Sequence, residues 1–460
     1  MRRSLGHFAG AMRGRLQGAD ASFGAVSTDS RALSGGELFV ALVGPHFDGH
    51  DFVAAAADRG AAAAVVARPL PLPIPQIVVD DTLRALQRAA QAWRAQFSIP
   101  VVAVAGSNGK TTTKEMVASV LAVQGTCHAT HGTLNNHVGV PLTLLGLEAS
   151  HATAVIEIGA NHPGEVAQLV PLVRPTVGLV TNAGAEHLEG FGTLDGVAYA
   201  EGELFAGLEP GATAIVNADD VYAELWQKMS RAGRRLRFGF AADADFRVAG
   251  EIRRTGAALL AQEFEMVTPA GRTRVQLELA GRHNVLNALG AAAAAAAAGA
   301  DLQGIAAGLA RMRAVRGRLE LKAAAGGAWL IDDSYNANPS SLVAGLAVLG
   351  TQPGERWLVL GDMAELGSGT RDAHVAAGRG ARAAGVSRLF AIGAETGDAV
   401  AEFGVGAEWF ADVAALAARV RPLLAPGVTV LVKGSRLNRL ERVVEALLAA
   451  PQDAQRTEGR

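Results

Sequence analysis

The sequence predicts an α/β protein of three domains with mostly parallel sheets, and three observations predict it. The chain has 460 residues, more than one hydrophobic core serves. Five small apolar residues, Val101 to Ala105, run into a Gly106-Ser-Asn-Gly109 loop and then into Lys110 and Thr111. That order reads as a buried parallel strand, a tight loop and the start of a helix. After residue 314, apolar strands at Trp329 to Asp332, Arg356 to Leu360, Arg388 to Ile392 and Val428 to Val432 alternate with helical stretches. This is the pattern of a doubly wound, Rossmann-like sheet. The expected boundaries are 1–97, 98–314 and 315–460.

Composition narrows the setting. Half of the residues are hydrophobic, and the net charge of −2 gives no reason to expect nucleic acid or an anionic membrane as a partner. Cys127 is the only cysteine, so no intrachain disulfide is possible, which suits a reducing cytosol. Met1-Arg-Arg is not followed by a continuous apolar run, so no signal peptide is expected. The longest apolar run, Ala291 to Ala298, is too short to span a bilayer.

The first unit opens with Ser27-Thr-Asp-Ser-Arg31, a glycine turn at Gly35-Gly36 and a strand from Glu37 to Leu42. A polar loop from Gly44 to Phe52, a helix from Val53 to Arg59 and a strand from Ala62 to Ala67 follow. Pro69, Pro71, Pro73 and Pro75 lead to a last strand, Gln76 to Val79, and a helix from Thr82 to Phe97. Asp29, Ser30 and Arg31 read equally as a turn held by its own side chains and as a ligand site.

The second unit holds the anion cradle. Loop and helix N–H groups point at phosphate oxygens, and the helix dipole favours their charge. Lys110 reaches the outer phosphates and the Thr111 hydroxyl holds Mg²⁺. The strict phosphate-loop pattern wants a glycine where Val104 stands, so the loop is a variant form. Its helix is expected to run to about Gln124. A polar loop, Gly132 to Pro141, comes next. The strand from Ala152 to Gly159 places Glu157 at its C-terminal end, where open α/β sheets bind ligands. A carboxylate in an apolar strand needs a salt bridge or a metal. His187 follows the strand Thr176 to Thr181 and is a candidate metal ligand on the same rim, or else an ordinary loop histidine.

A helix carrying Glu201-Gly-Glu203 and a strand from Thr213 to Asn217 follow. Residues 234 to 279 read as an antiparallel insertion. Asn284 and Asn287 open the alanine-rich helix and share one face. Their amides can read a purine edge, unless Asn284 merely caps the helix.

In the third unit the polar motifs sit at strand C-terminal ends. They are Asp332-Asp-Ser-Tyr-Asn-Ala-Asn-Pro339, Gly361-Asp-Met-Ala-Glu-Leu-Gly367 and Lys433-Gly-Ser-Arg436. Three such motifs on one rim look like half of an active site facing the nucleotide domain.

With these motifs in this order, the chain from Ser27 to Arg436 resembles the Mur amide ligases of peptidoglycan precursor synthesis. The tail after Gln452 is unmatched and is expected to be disordered. The resemblance implies a small UDP-substrate-binding domain, a central ATP-binding domain and a C-terminal ligase domain. It implies ATP and two Mg²⁺ ions, with a UDP-linked muramoyl tripeptide and D-alanyl-D-alanine as substrates and a chain acting as a monomer. By the match, Gly106, Ser107, Asn108, Gly109, Lys110, Thr111 and Thr112 hold the phosphates. Thr111, Glu157 and His187 surround magnesium, and Asn284 and Asn287 lie by the adenine. Arg318 takes the phosphates and Asp333 the ribose. Ser30 matches a uridine position, and Asn135 and Asn136 a substrate loop. The implied reaction activates a carboxylate as an acyl phosphate, which an amine then attacks.

One residue departs from the family. Relatives usually carry at position 201 a lysine that takes up CO₂ to become a carbamate near the second magnesium. Here Glu201 is expected to replace that carbamate, making Lys110, Glu157, His187 and Glu201 the residues nearest the chemistry. Rival readings are a sibling or folylpolyglutamate-type ligase, a nucleotide-binding relative without catalysis, and a small-molecule kinase, since a phosphate loop and Mg²⁺ serve phosphoryl transfer equally.

Overall fold

The computed structural model describes residues 3–256 and 260–448. The tail after Gln452 lies outside the described residues. The first sheet runs in the order Arg15–Gln17, Gln76–Val78, Ala63–Val66, Leu38–Val40, Val26–Ser27, parallel except at its first pair. The strand expected from Glu37 begins at Leu38, and the Glu37 carboxylate turns back onto the preceding turn. It accepts from the Ser34 N–H and hydroxyl at 3.1 and 2.7 Å and from Gly35 N–H at 2.9 Å. Residues 28–31 and 41–48 leave the parallel strands at one common edge.

The second sheet is wholly parallel, in the order Arg234–Phe238, Thr213–Asn217, Val177–Val180, Val101–Ala105, Thr153–Glu157, Cys127–Ala129. Every residue of Val101–Ala105 and Thr213–Asn217 is buried, as expected of strands covered on both faces. The helix after the phosphate loop, Lys110–Leu121, stops three residues short of the expected Gln124. It packs against the alanine-rich helix Arg282–Ala297, whose Ala291 to Ala295 are fully buried. Methyl side chains let the two helix backbones approach closely.

The expected antiparallel insertion over 234–279 needs correction. Arg234–Phe238 pairs in parallel with Thr213–Asn217 and forms the edge of the central sheet. Arg247–Thr255, Ala261–Thr268 and Gly271–Leu277 make a separate antiparallel sheet. An edge strand exposes part of its length, so its polar residues resemble those of a hairpin.

The last sheet has the order Glu320–Ala323, Trp329–Asp333, Val428–Lys433, Glu355–Leu360, Arg388–Ile392, Ala407–Phe410, antiparallel only at its first pair. The outer two strands were not legible in the sequence. Register sets Lys433 level with Asp333 on one side and Leu360 on the other, so the three polar motifs do share one rim.

Candidate active site

Glycine at 106 is dictated by space and dihedral angle. Its φ is +116°, and a Cβ there would lie 2.2 Å from Thr181 Oγ1. The loop's first three N–H groups are already taken. Gly106 donates to Glu201 Oε2 at 2.6 Å, Ser107 to the Asn182 carbonyl at 2.8 Å, and Asn108 to Asn182 Oδ1 at 3.1 Å. The helix's own ladder begins with Thr113 N–H to the Gly109 carbonyl at 2.8 Å. The N–H groups of Gly109, Lys110, Thr111 and Thr112 therefore fall outside it, and Gly109 brings no side-chain cap. The anion cradle expected over Gly106 to Thr112 narrows to its last four N–H groups.

Lys110 Nζ donates to the Ser107 carbonyl at 3.0 Å and to Glu186 Oε1 at 3.1 Å. Burial opposes its charge, but Glu186, Glu201 and Glu157 more than offset this and raise its pKa. Glu186 was not singled out from the sequence. Its only signal was a carboxylate in the loop that carries His187.

Thr111 Oγ1 donates to Glu157 Oε1 at 3.2 Å, and Asn135 Nδ2 donates to the same oxygen at 2.8 Å. Glu157 makes none of the described ion pairs, and its Oε2 is buried without a partner. A buried orphan carboxylate oxygen beside a threonine hydroxyl fits a hard cation such as Mg²⁺. No three His, Cys, Asp or Glu side chains converge on a metal position among the described residues. The expected set Thr111, Glu157, His187 and Glu201 is thus not gathered into one cage. His187 lines the same cavity as Glu157, but its φ is +49° and its Nδ1 faces the Glu365 carboxylate of the C-terminal domain.

Glu201 is placed differently from Glu157 and His187. It is 1% exposed, so it is no surface glutamate, yet it lies behind the loop and does not line the cavity. Its short arm ends at the Gly106 N–H. Burial pushes its pKa up to about 7; the Lys110 charge works against that shift and Glu186 adds to it.

The opposite wall comes from the C-terminal domain. The Arg318 guanidinium donates to Thr111 Oγ1 at 3.1 Å and lies 4.5 Å over the Tyr335 ring. Lys433 Nζ donates to Asp333 Oδ2 at 2.5 Å and to the Asn336 carbonyl at 3.1 Å. Burial raises the Asp333 pKa against the pull of Lys433. Burial, with Lys433 nearby, also pushes His283 down to about 4, so a neutral imidazole borders the cleft.

Asn284 Nδ2 donates to the Ala280 carbonyl at 2.7 Å, and Asn287 Nδ2 to Asn284 Oδ1 at 3.2 Å. The helix is capped at Gly281, so Asn284 is not its N-cap. A Cβ on Gly109 would meet Asn287 Oδ1 at 2.6 Å, so the amide sits directly against the phosphate loop.

Lys110, Thr111, Asn135, Asn136, Glu157, His187, Asn284, Asn287, Arg318 and Asp333 line one cavity of about 630 Å³ between the central and C-terminal domains. Ser30 does not. It opens the short helix Ser30–Ala32 at the edge of the first sheet. There, Arg31 N–H and Nε each donate to Asp29 Oδ1 at 2.9 Å, the self-stabilised turn that was one of the two readings. Asn136 Oδ1 accepts from the Val138 and Gly139 N–H groups at 3.1 and 2.9 Å and shapes the turn into helix Gly139–Leu145.

A phosphate loop facing a second α/β domain across a cleft defines a nucleotide-dependent enzyme, and comparison with known proteins gives its class. Three family models match in order: the catalytic domain of the Mur ligase family at 22–94, the Mur ligase middle domain at 104–295 and the glutamate ligase domain of Mur ligases at 317–436. The chain belongs to the Mur ligase family. Within it, the chain is 47% identical over 439 residues to UDP-N-acetylmuramoyl-tripeptide–D-alanyl-D-alanine ligase of Escherichia coli K12, covering 95% of this chain and 96% of the relative. The enzyme of the same name from Bacillus subtilis 168 is 33% identical, with 93% of each chain covered. A crystal structure of MurF from Acinetobacter baumannii superposes with a TM-score of 0.90 at 33% identity, covering 97% of this chain and 98% of that one. MurF ligase from Thermotoga maritima, solved in complex with ADP, gives a TM-score of 0.78 at 25% identity, covering 92% and 96%.

Proposed function

We propose that the chain joins D-alanyl-D-alanine to UDP-N-acetylmuramoyl-tripeptide at the expense of ATP, giving the pentapeptide, ADP and phosphate for peptidoglycan synthesis. The observation that carries this is the single cleft in which Lys110, four free N–H groups and the Thr111–Glu157 pair face Arg318, Asp333 and Lys433.

A tripeptide carboxylate oxygen attacks the γ-phosphorus, the bond to ADP breaks, and an acyl phosphate forms. The dipeptide amine then attacks the acyl carbon, loses a proton, and the carbon–oxygen bond to phosphate breaks. A carboxylate must approach a triphosphate, so the first demand on the protein is positive charge. Lys110 and the N–H groups of Gly109 to Thr112 supply it from one side and Arg318 from the other. Thr111 and Glu157, with His187 on the rim, are the residues to hold Mg²⁺, which when bound adds Lewis-acid charge neutralisation. Glu201 keeps Lys110 charged from behind and ties down Gly106 without any need for carbamylation.

Asn284 and Asn287 take the adenine, and Asp333, oriented by Lys433, takes the ribose. Ser30 and the edge of the first sheet receive the UDP end, and the loop with Asn135 and Asn136 receives the peptide. No helix among the described residues is long and apolar enough to cross a membrane. The enzyme works in the cytoplasm as a monomer.

The test is phosphate release from ATP and Mg²⁺ with UDP-muramoyl-tripeptide, with and without D-alanyl-D-alanine. Release that needs both, with the pentapeptide product seen by mass, is the expected result. A stable phosphorylated substrate without any amine requirement would make the protein a kinase instead. Release with a different amino acid would move it to a sibling activity.

A further inference from the structure

The phosphate loop is joined to the C-terminal domain by a closed hydrogen-bond ring. Asn108 Nδ2 donates to Ser340 Oγ at 3.0 Å, Ser340 Oγ donates to Asn338 Oδ1 at 3.0 Å, and Asn338 Nδ2 donates back to Asn108 Oδ1 at 2.9 Å. Each group donates in the same rotational sense, so each bond polarises the next.

The Asn108 main chain is fixed separately. Its N–H donates to Asn182 Oδ1 at 3.1 Å, and its carbonyl accepts from Asn182 Nδ2 at 2.9 Å. The side chain therefore stands on a rigid base, with its amide turned to the other domain rather than to the phosphate position. On the far side, Asn338 is the N-cap of helix Pro339–Leu349, and its Oδ1 also accepts from Ser341 N–H at 2.8 Å. Gly184 completes the fit. A Cβ there would come within 2.8 Å of Asn108 Nδ2 and 3.0 Å of Ser340 Oγ.

We infer that Asn108, Asn338 and Ser340 are positioning residues, forming a latch that couples the phosphate loop to closure of the C-terminal domain. The proposal rests on reading the cleft as a nucleotide site. Tyr335 and Asn336 lie three and two residues before the capping residue and line the cleft, and Arg318 lies over the Tyr335 ring. Seating the helix start on the loop thus sets the wall that faces the phosphates. Conversely, a nucleotide held between the fixed loop and that wall favours the position in which the ring is closed, so nucleotide binding and closure favour each other.

The test is ADP binding to the full chain with Mg²⁺ by calorimetry, for wild type, Asn108→Ala, Ser340→Ala and the double variant. Small-angle scattering gives the radius of gyration of each, and thermal unfolding confirms that each folds. Ser340→Ala leaves the Asn338 cap in place, so it opens the ring without removing the helix start. Each single variant should weaken ADP binding by roughly three- to tenfold, the worth of a lost hydrogen bond. The double variant should be no worse than the weaker single, because one ring is broken only once.

The variants should also show a larger radius of gyration with ADP than wild type does. Ser340→Thr, which keeps the hydroxyl, should bind as wild type, and Gly184→Ala should behave like an opened ring. ADP binding by Ser340→Ala equal to wild type, or losses that multiply in the double variant, would overturn the latch alone. Failure of wild type itself to bind ADP would instead remove the nucleotide reading, and the latch with it.

Discussion

Glu157 and Glu201 flank one loop, and each is 1% exposed, yet their surroundings differ. Glu157 stands at the front. One oxygen takes hydrogen bonds from Thr111 and Asn135, and the other, aimed into buried space, has none. Glu201 stands at the back. It is tied to a backbone N–H, and burial drives its pKa up to about 7. Burial alone therefore does not mark a cation ligand. The front carboxylate is left incomplete by the fold, as a group awaiting a ligand would be. The back carboxylate spends its described hydrogen bond on the loop backbone and stands beside Lys110, off the cavity wall.

The largest test of this contrast is Lys110→Met, because Lys110 is the cation that both carboxylates sustain. Phosphate release should fall by roughly a thousandfold, as expected when a charge on the transferring phosphoryl group is removed. Circular dichroism should show the fold intact. Glu157→Gln comes next. We expect about a hundredfold loss of turnover, of the order set by removing one electrostatic contact to the transition state. Mg²⁺ should also cease to tighten ADP binding, measured by calorimetry. Retained Mg²⁺ dependence would place the cation elsewhere.

Glu201→Gln should be milder, roughly tenfold in turnover, of the order of one weakened hydrogen bond to the loop. Turnover equal to wild type would remove Glu201 from the machinery. Wild-type activity should be indifferent to added bicarbonate, since no lysine at this position awaits CO₂.

The same variant tests the back of the loop by stability. The Glu201 pKa is near 4.5 unfolded and about 7 folded, so the native state binds the extra proton between those values. Its contribution is therefore a stability present at low pH and lost as pH rises from about 4.5 to 7, worth roughly 3 kcal/mol by linkage. Wild type should lose melting temperature across that window relative to Glu201→Gln, whose side chain does not titrate. A parallel pair of melting curves would contradict the buried, raised carboxylate. The smallest effect concerns the distant sheet edge. Ser30→Ala should raise KM for the UDP substrate by roughly threefold, as for one lost hydrogen bond, with kcat unchanged.

Legibility in the sequence followed the same division. The front of the loop was readable because its chemistry is local. A strand, two glycines and the Lys110–Thr111 start of a helix are consecutive, and Glu157 betrays itself as a charge ending an apolar strand. The back was not. Glu201 was singled out only through the family resemblance, and only the tertiary fold set its helix under Gly106, 95 residues away in sequence. Glu186 was missed for the same reason, since only the folded chain brings it to Lys110. The strand Arg234–Phe238 was assigned to the wrong sheet because half-exposed edge residues look alike in parallel and antiparallel settings.

By itself, then, the sequence determined the α/β class, the phosphate loop, the rim motifs of the C-terminal domain and the family resemblance. Each is written in contiguous residues whose backbone preferences and periodicity act locally. Only the tertiary structure decided which carboxylate lines the cavity and which is tied to the loop backbone, that the N–H groups of Gly106 to Asn108 are spent inside the protein, and that Asn108 meets Asn338 and Ser340 across the cleft. Those outcomes depend on partners up to 232 positions apart, and hydrogen bonds and burial at such range are set by packing, which no local pattern encodes.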